Sequence, residues 1–381
     1  MSYQSLIANN KKWIDDTFQS LDKKLRLVSV RSRDKIPYTT TDGVHSNIQK
    51  DKVGREGITW WTNGFFGGLM WLMHEATGEA CYKIAAKSSE KILDEAFLHP
   101  EGLHHDVGFQ WHILSGASYR LTGDEASLER VKRAADMLRA RYNEKGEYIV
   151  AWNGEEHAGW TIIDTMMNLP LLYFASKQFG DESYMRVAKI HADMAMREHV
   201  RADGSVNHIV NHTRDRVGVI ETLGGQGYGV GSCWSRGSSW AIYGFVLAYI
   251  HTGEVAYLDT AKRAAHYFIS SVSETDYLPL VDFRAPSEPV EYDTTAGAIA
   301  AAGLIEIAKA VPEFEGELYL SAAIKILRAM AERFCDFDEN TDGVLMNGVE
   351  RYLSEPKNII YGDYYFTEAI LKLRGSKFLP W

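Results

Sequence analysis

The stretch TGEACYKIAAKSSEKIL at residues 77–93 decides the fold, because its pattern returns four more times along the chain. Each copy has a turn with Gly and an acidic residue, then an aromatic residue or Leu, then small residues at helical spacing. The other copies are TGDEASLERVKRAADML at 122–138, FGDESYMRVAKIHADMA at 179–195, TGEVAYLDTAKRAAHYF at 252–268 and, more weakly, EGELYLSAAIKILRAMA at 315–331. Such repetition indicates one structural unit used several times.

An apolar helical run precedes each copy, for example FFGGLMWLMHEA at 65–76 and SSWAIYGFVLAYI at 238–250. We expect the Gly to end the first helix, the acidic residue to cap the second, and the Ala-rich face to pack closely on its partner. The unit is therefore predicted to be a helical hairpin. An opening helix over about 4–27, paired with the region that follows it, raises the prediction to roughly six hairpins.

Helices in an inner and an outer layer, without alternating strand and helix signals, predict an all-α fold: one (α/α)6 barrel as a single domain over residues 1–381. An open α-solenoid that binds other proteins is the alternative. The segments between the hairpins favour the barrel, because they are rich in Trp, Gly, His, Asp and Arg. We expect these segments to gather around one mouth of the barrel.

The composition excludes several classes of function. Hydrophobic residues make up 45% of the chain and charged residues 24%, as in folded soluble proteins. Lys plus Arg number 41 against 51 Asp plus Glu, a net charge of −10 without a basic cluster, so no nucleic-acid partner is expected. Cys81, Cys233 and Cys335 are widely spaced, and neither a signal-peptide pattern nor a long apolar run is found. These features predict a cytoplasmic protein with reduced thiols and no membrane partner.

Aromatic side chains suggest a carbohydrate pocket. The chain has 10 Trp residues, most of them in the segments between hairpins. Trp and Tyr stack on the apolar faces of sugar rings, and polar side chains meet the hydroxyls. Trp61, Trp152, Trp234 and Trp240 lie beside Gly and polar residues and are predicted to face the pocket.

Two aspartates are candidate catalytic groups. Asp106 begins an apolar helix in HHDVGFQ, where the alternative is an ordinary helix cap. Asp164 lies among apolar residues in GWTIIDTMMNLP, where burial raises a carboxyl pKa towards the range useful to a general acid, although a buried hydrogen-bonded carboxyl is the alternative. A pair of carboxylates in an aromatic pocket is the usual equipment for cleaving glycosidic bonds.

Other polar residues are candidate ligand contacts. Arg236, flanked by small residues in GSCWSRGSSW, has room to bind a carboxylate, and a structural ion pair is the alternative. His105 and His208 are candidates for binding sugar hydroxyls or a carboxylate. No phosphate-binding loop, HExxH pair or complete EF-hand loop is present, so we expect neither a cofactor nor a metal.

Several segments together resemble the unsaturated glucuronyl hydrolases of glycoside hydrolase family 88, over residues 60 to 375. They are WTNGFFGG, HHDVGF, GWTIIDTMMNLPLLYFAS, the segment around His208, QGYG with WSRGSSWAIYGF, DTTAGAIAAAGLIEI and IIYGDYYFTEAI. The resemblance implies a metal-free, cytoplasmic (α/α)6 barrel. It also implies an enzyme that removes 4-deoxy-4,5-unsaturated uronic acid from the non-reducing end of lyase-generated, glycosaminoglycan-type oligosaccharides, by hydrating the C4=C5 bond.

The resemblance also implies roles for individual residues. Asp164 would be the general acid and base, and Asp106, with His105 beside it, would hold the ring hydroxyls and stabilise positive charge. The remaining contacts would be His208, Gln226 and Arg236 on the uronate carboxylate or nearby oxygens, and Trp61, Trp152 and Trp240 as ring-facing walls. The chain departs from the family at 229–232, GVGS instead of the frequent Asp-Asp-Ser, and in the short YLSEPKNII before Tyr361.

Two other functions remain open from the sequence. One is the related hydrolysis of unsaturated rhamnogalacturonan disaccharides, which uses the same barrel and the same aspartate chemistry. The other is a toroid that binds sugar without turning it over, which the presence of both Asp106 and Asp164 disfavours.

Overall fold

The computed structural model describes residues 3–48, 54 and 57–381. Within these residues, the long helices form an inner and an outer ring. The inner helices are α2 (Phe65–Thr77), α4 (Val107–Trp111) with α5 (Ala117–Thr122), α7 (Leu169–Phe179), α9 (Ser235–Thr252), α11 (Thr294–Ala310) and α13 (Ile360–Leu373). The outer helices are α1 (Tyr3–Arg31), α3 (Ala80–Leu93), α6 (Glu125–Ala140), α8 (Glu182–Glu198), α10 (Val255–Ser273) and α12 (Glu313–Arg333).

The inner ring is closed. Helix α9 packs against α7 and α11, and α13 packs against α11 and α2, so the last inner helix meets the first. Every residue of α11 from Thr294 to Ala308 is buried, whereas α6 buries one face only. A helix that is apolar all round belongs in an interior, and an amphipathic one belongs outside it. The predicted (α/α)6 barrel is confirmed.

Four of the five repeats end their first helix on a left-handed glycine, as predicted. Gly78, Gly123, Gly180 and Gly253 have φ between 67° and 76° and follow α2, α5, α7 and α9. Glycine reaches this conformation without the steric cost that a Cβ imposes. In the fifth repeat Gly316 lies inside α12 instead, and Pro312 takes the capping position.

The predicted acidic caps are confirmed for aspartate and wrong for glutamate. Asp124 and Asp181 accept a hydrogen bond from the backbone N–H two residues later. Glu79 and Glu254 occupy the same position without a capping bond. Their longer side chains reach neighbouring outer helices instead: Glu79 forms an ion pair with Arg26 at 2.8 Å.

The opening helix packs on the last helices of the chain and so completes the barrel. Helix α1 packs against α3, α12 and α13, so its pairing with the region that follows it, predicted from the sequence, is wrong. That region forms the short hairpin of β1 (Thr40–Thr41) and β2 (Val44–His45). One buried hydrophobic cluster extends from Leu6 to Trp381.

The structure also contains short antiparallel strands, which the all-α prediction did not include. Strands β3 (Tyr142–Asn143) and β4 (Tyr148–Ile149) form a hairpin. Strands β5 (Trp160–Ile162), β6 (Ile209–His212) and β7 (Val219–Leu223) form a sheet in that order. Among the described residues, no helix combines the length and the apolar character needed to cross a bilayer.

Candidate active site

A cavity opens at the end of the barrel where the inner helices begin. Asp106 is the N-cap of α4, Arg236 lies in the first turn of α9 and Tyr361 in that of α13. The positive ends of these helix dipoles therefore point towards the cavity. Its lining consists of Tyr38, Trp60, Trp61, His104, His105, Asp106, Trp152, Ile162, Asp164, Gln226, Trp234, Arg236, Glu350, Arg351 and Tyr361.

Strand pairing brings Asp164 and His208 together. Ile162 of β5 pairs with Ile209 of β6, and the Ile163 N–H donates to the His208 carbonyl at 3.1 Å. Ile163 and His208 are therefore neighbours, and Asp164, which follows Ile163 directly, is brought close to His208. Asp164 Oδ1 lies 3.6 Å from His208 Nε2, and neither atom makes a hydrogen bond within the described part of the chain.

The tautomer of His208 follows from its other nitrogen. The backbone N–H of Gln226 donates to His208 Nδ1 at 3.0 Å, so in the neutral ring the proton is on Nε2. His208 thus presents an N–H towards Asp164. The side-chain amide of Gln226 donates to the Glu350 carbonyl at 2.6 Å, which holds Gln226 against the cavity wall.

Asp106 is held by three side chains rather than by its own helix. Its Oδ2 lies 3.4 Å from His105 Nε2 and 3.5 Å from His104 Nδ1, and its Oδ1 accepts a hydrogen bond from Asn168 Nδ2 at 3.1 Å. Asp106 stands at the N-cap position of α4 without making a capping bond, so the ordinary cap considered from the sequence is not formed. His105 is fixed in turn by Thr165 Oγ1 at 2.7 Å from its Nδ1.

Burial sets the protonation of this cluster. Burial first, and the charge of Asp164 second, raise the pKa of Asp106 well above its ordinary value. Burial lowers the pKa of His104 to about 3 and lowers the pKa of His105 well below its ordinary value. Both imidazoles are therefore neutral at physiological pH, and their contacts with Asp106 are not ion pairs. The sequence did not predict the strong desolvation of Asp106.

Asn168 links the two aspartate segments and was missed by the sequence analysis. Its Oδ1 accepts from the backbone N–H of Phe109 at 2.9 Å, which caps α4 in place of Asp106. Its Nδ2 donates to Asp106 Oδ1 and, at 3.3 Å, to the Asp164 carbonyl. Asn168 is fully buried, and the available signal was an amide placed between MM and LPLL in the sequence.

Arg236 lines the cavity and also forms the ion pair that was the alternative. Its Nη1 donates to Asp293 Oδ2 at 2.6 Å and to the Val349 carbonyl, and its Nη2 donates to the Glu350 carbonyl at 2.7 Å. The guanidinium lies 4.3 Å from the centre of the Trp234 ring. Arg236 is 1% exposed, so its charge is fixed in place beside the cavity.

The structure places some of the Trp residues predicted to form the aromatic walls at the cavity and one of them elsewhere. Trp61, Trp152 and Trp234 line the cavity. Trp240 does not: it is fully buried between Phe109 and Tyr365, and the wall position predicted for it requires correction. Trp240 lies one turn deeper in α9 than Arg236, about 6 Å further along the helix, and so belongs to the floor beneath the cavity.

The far wall comes from residues that the sequence analysis did not select. Tyr38 donates a hydrogen bond to Glu350 Oε1 at 2.5 Å, and Lys357 Nζ lies 2.8 Å from the same oxygen. Lys357 belongs to the loop in which the sequence departs from the family, and its charge is compensated by Glu350. Among the described residues, one group of side chains could hold a metal ion: His104, His105 and Asp106, whose ligand atoms lie within 4.8 Å of one another.

Comparisons with known proteins agree with this fold and cavity. The family model of Glycosyl Hydrolase Family 88 matches residues 28–278. The unsaturated glucuronyl hydrolase of Bacillus sp. strain GL1 is 35% identical over 351 residues, 89% of this chain and 91% of that protein. The unsaturated chondroitin disaccharide hydrolase of Streptococcus pneumoniae is 33% identical over 335 residues, 85% of this chain and 84% of that protein.

A solved structure gives the same relationship in three dimensions. It is the unsaturated glucuronyl hydrolase of Bacillus sp. GL1, described as responsible for the degradation of glycosaminoglycan. It superposes with a TM-score of 0.85 at 32% identity and covers 93% of this chain and 95% of that chain.

Proposed function

Because the chain belongs to Glycosyl Hydrolase Family 88, we propose that it removes a 4-deoxy-4,5-unsaturated uronic acid from the non-reducing end of lyase-generated glycosaminoglycan oligosaccharides. The observation that carries the proposal is an aromatic-walled cavity lined by Asp106 and Asp164, with His208 behind this lining and in contact with Asp164. We also propose a cytoplasmic location for one domain over residues 1–381. The unpaired cysteines and the continuous hydrophobic core support these two points.

The reaction is a hydration. The substrate is an enol ether, so a proton added to C4 leaves an oxocarbenium-like centre at C5, and the oxygen of water then bonds to C5. The resulting hemiketal opens, its ring oxygen remains as a hydroxyl on C1, and C1 becomes an aldehyde as the next sugar leaves as an alcohol. One positioned carboxyl group can give the first proton and then take one from water.

We assign that role to Asp164. Its Oδ1 is free of hydrogen bonds within the described residues, and the Nε2–H of His208 faces it. The raised pKa of Asp106, partly caused by the charge of Asp164, indicates that the two carboxyls interact.

The other cavity residues are proposed to bind and orient the substrate. The fixed charge of Arg236 and the helix N-termini favour the uronate carboxylate against the net charge of −10. His105 and Asp106 face the ring hydroxyls, and Trp61 and Trp152 offer ring faces for stacking. Gln226 acts by holding the His208 ring, and Trp240 supports the floor.

Loss of the enol ether absorbance tests the proposal. Unsaturated chondroitin, hyaluronan, heparin and rhamnogalacturonan disaccharides are incubated with the wild type, with Asp164→Asn and with Asp259→Asn, which removes an exposed carboxylate of α10. We expect Asp164→Asn to lower kcat by about 10²–10⁴-fold and the control to leave it unchanged.

Each other outcome has a definite meaning. Turnover of the rhamnogalacturonan substrate alone identifies the related pectin activity. Substrate binding with constant absorbance identifies a non-catalytic toroid and contradicts the proposed reaction. Full activity of Asp164→Asn would contradict the role given to Asp164 while leaving the reaction in place.

A further inference from the structure

Three consecutive residues at the cavity wall have the geometry of a transition-metal site. His104 Nδ1 and His105 Nε2 lie 3.5 and 3.4 Å from the same oxygen, Asp106 Oδ2. Ligands at about 2.0–2.2 Å from a tetrahedral Zn²⁺ are separated by roughly 3.3–3.6 Å. The two measured separations match such an edge, and all three atoms lie within 4.8 Å of one another.

The surroundings of these residues also suit a metal site. His105 Nδ1 is hydrogen-bonded to Thr165 Oγ1, and Asp106 Oδ1 accepts from Asn168, so both residues have the outer partners that orient metal ligands. His104 Nδ1 is buried and makes no hydrogen bond within the described residues. The guanidinium of Arg141, whose charge acts on both histidines, is held at the Val150 carbonyl at 2.7 Å and at Asn153 Oδ1 at 2.8 Å.

We propose that His104, His105 and Asp106 form a binding site for Zn²⁺ whose occupation blocks the reaction. Two imidazoles and one carboxylate suit borderline cations such as Zn²⁺, whereas Mg²⁺ and Ca²⁺ prefer oxygen ligands. All three residues line the cavity, so the fourth ligand of a tetrahedral ion would come from it.

The blocking half of the proposal rests on the proposed function, whereas binding does not. A cation on Asp106 Oδ2 withdraws the carboxylate assigned to stabilising positive charge at C5. Because the ion and the sugar share the cavity, inhibition is expected to be competitive.

Binding is measured first, by calorimetric titration of chelator-treated protein with Zn²⁺ and with Mg²⁺. We expect one Zn²⁺ per chain, no Mg²⁺ binding, and an intense visible absorption when Co²⁺ replaces Zn²⁺. His104→Ala and Asp106→Asn each remove a ligand. Loss of an outer partner already weakens metal binding by about 10-fold or more, so loss of a ligand should weaken Zn²⁺ binding by more than about 10-fold. Thr165→Val keeps the ligands and should weaken it about 10-fold.

His99→Ala is the matched control. His99 Nδ1 lies 3.6 Å from Glu101 Oε1, a similar contact between histidine and carboxylate outside the cavity and without a third ligand. Equal Zn²⁺ affinity in the wild type, Asp106→Asn and Thr165→Val would overturn the site, even if His104→Ala failed to fold.

Inhibition is measured second, as loss of enol ether absorbance with Zn²⁺, with Mg²⁺ and after chelator is added back. We expect Zn²⁺ to raise KM reversibly and Mg²⁺ to have no effect. Zn²⁺ that binds without changing the rate would overturn the blocking half. A protein that binds Zn²⁺ at these residues but turns over no substrate would keep the site and contradict only the proposed function.

Discussion

The two ends of the barrel treat buried polar groups in opposite ways. At the mouth, Asp164 Oδ1 and His208 Nε2 face each other at 3.6 Å without a hydrogen bond in the described residues. At the base, Lys372 Nζ is 2.5 Å from Glu306 Oε1, 2.8 Å from the Tyr243 hydroxyl and 3.2 Å from Glu368 Oε1. This group at the base compensates its charges, whereas the Asp164–His208 contact at the mouth leaves a donor and an acceptor open.

This difference separates stability from binding. A buried polar atom without a partner costs about 1–3 kcal/mol, so open atoms at the mouth are a loss unless a ligand satisfies them. The Lys372 group at the base has no such requirement, because its charges are paired and Trp381 donates from Nε1 to Glu368 Oε2 at 3.3 Å. We therefore expect changes at the base to alter unfolding and changes at the mouth to alter turnover.

Lys372→Met should have the largest effect on unfolding. It leaves Glu368 and Glu306 buried with less compensating charge, although Lys309 remains 3.0 Å from Glu306 Oε1. Removing one partner of a buried ion pair costs about 3–5 kcal/mol. Denaturant unfolding measures this loss, and kcat per folded molecule should stay close to that of the wild type.

Lys12→Met is the control, because Lys12 is 88% exposed in its pair with Asp16. It should change the free energy of unfolding by less than about 0.5 kcal/mol. If Lys372→Met were as mild as the control, the base would not be the stabilising end of the barrel.

Trp381→Phe should have a smaller effect at the same end. The ring of Trp381 lies parallel to that of Tyr365 at 5.7 Å, and Phe can keep this contact. The lost Nε1–H leaves Glu368 Oε2 without its donor, which costs about 1–3 kcal/mol. Thermal and denaturant unfolding measure the loss; a melting temperature equal to that of the wild type would contradict it.

The sequence predicted the ends of the repeated helices and missed contacts between segments that are far apart in the chain. Gly78 and Asp124 mark helix ends through local conformation and local hydrogen bonds, so a pattern of a few residues reveals them. The pairing of α1 with α13 joins segments more than 300 residues apart and has no local signal. The predicted closed barrel requires some segment to cover the last inner helix, but the sequence does not show that α1 is that segment.

The residues of the site show the same difference between local signals and long-range contacts. Asp106, Asp164 and Arg236 were found because each stands in a distinctive segment at the start of an inner helix. Glu350 was missed because it comes from a loop and meets Tyr38 and Arg236 through contacts between segments far apart in the chain. Trp240 was misplaced because the sequence shows its neighbours along the helix and not the depth at which it lies.

Asp106→Asn should stabilise the protein at the mouth while lowering its activity. The folded-state pKa of Asp106 is raised, so ionisation of this group opposes folding. Its contribution to stability is complete below the unfolded pKa of about 3.9 and is lost as pH rises through the raised folded value. Asn carries no charge and can still accept from Asn168.

The advantage of Asp106→Asn over the wild type should therefore grow from pH 4 to pH 8, by about 1.4 kcal/mol for each unit by which the pKa is raised. Unfolding at a series of pH values measures it, with Asp259→Asn as the control that shows no such trend. A constant difference between variant and wild type would contradict the burial cost assigned to Asp106.

Glu350→Gln should have the smallest effect, on KM more than on kcat. The Glu350 side chain is 17% exposed and compensates the charge of Lys357 at the cavity wall. The substitution removes the negative charge, so the positive charge of Lys357 is no longer compensated beside the bound sugar. A partly exposed pair is worth up to about 1 kcal/mol, so KM for an anionic disaccharide should fall by less than about 5-fold. The fall should be larger for a sulfated substrate than for an unsulfated one, and should shrink as salt is added.

Initial rates with sulfated and unsulfated chondroitin disaccharides at low and high salt measure this change, with Glu355→Gln on the exposed part of the same loop as control. A rise in KM would mean that Glu350 itself binds the sugar. Recognition of the sugar at the mouth would then use the carboxylate of Glu350, which would do more than hold Lys357.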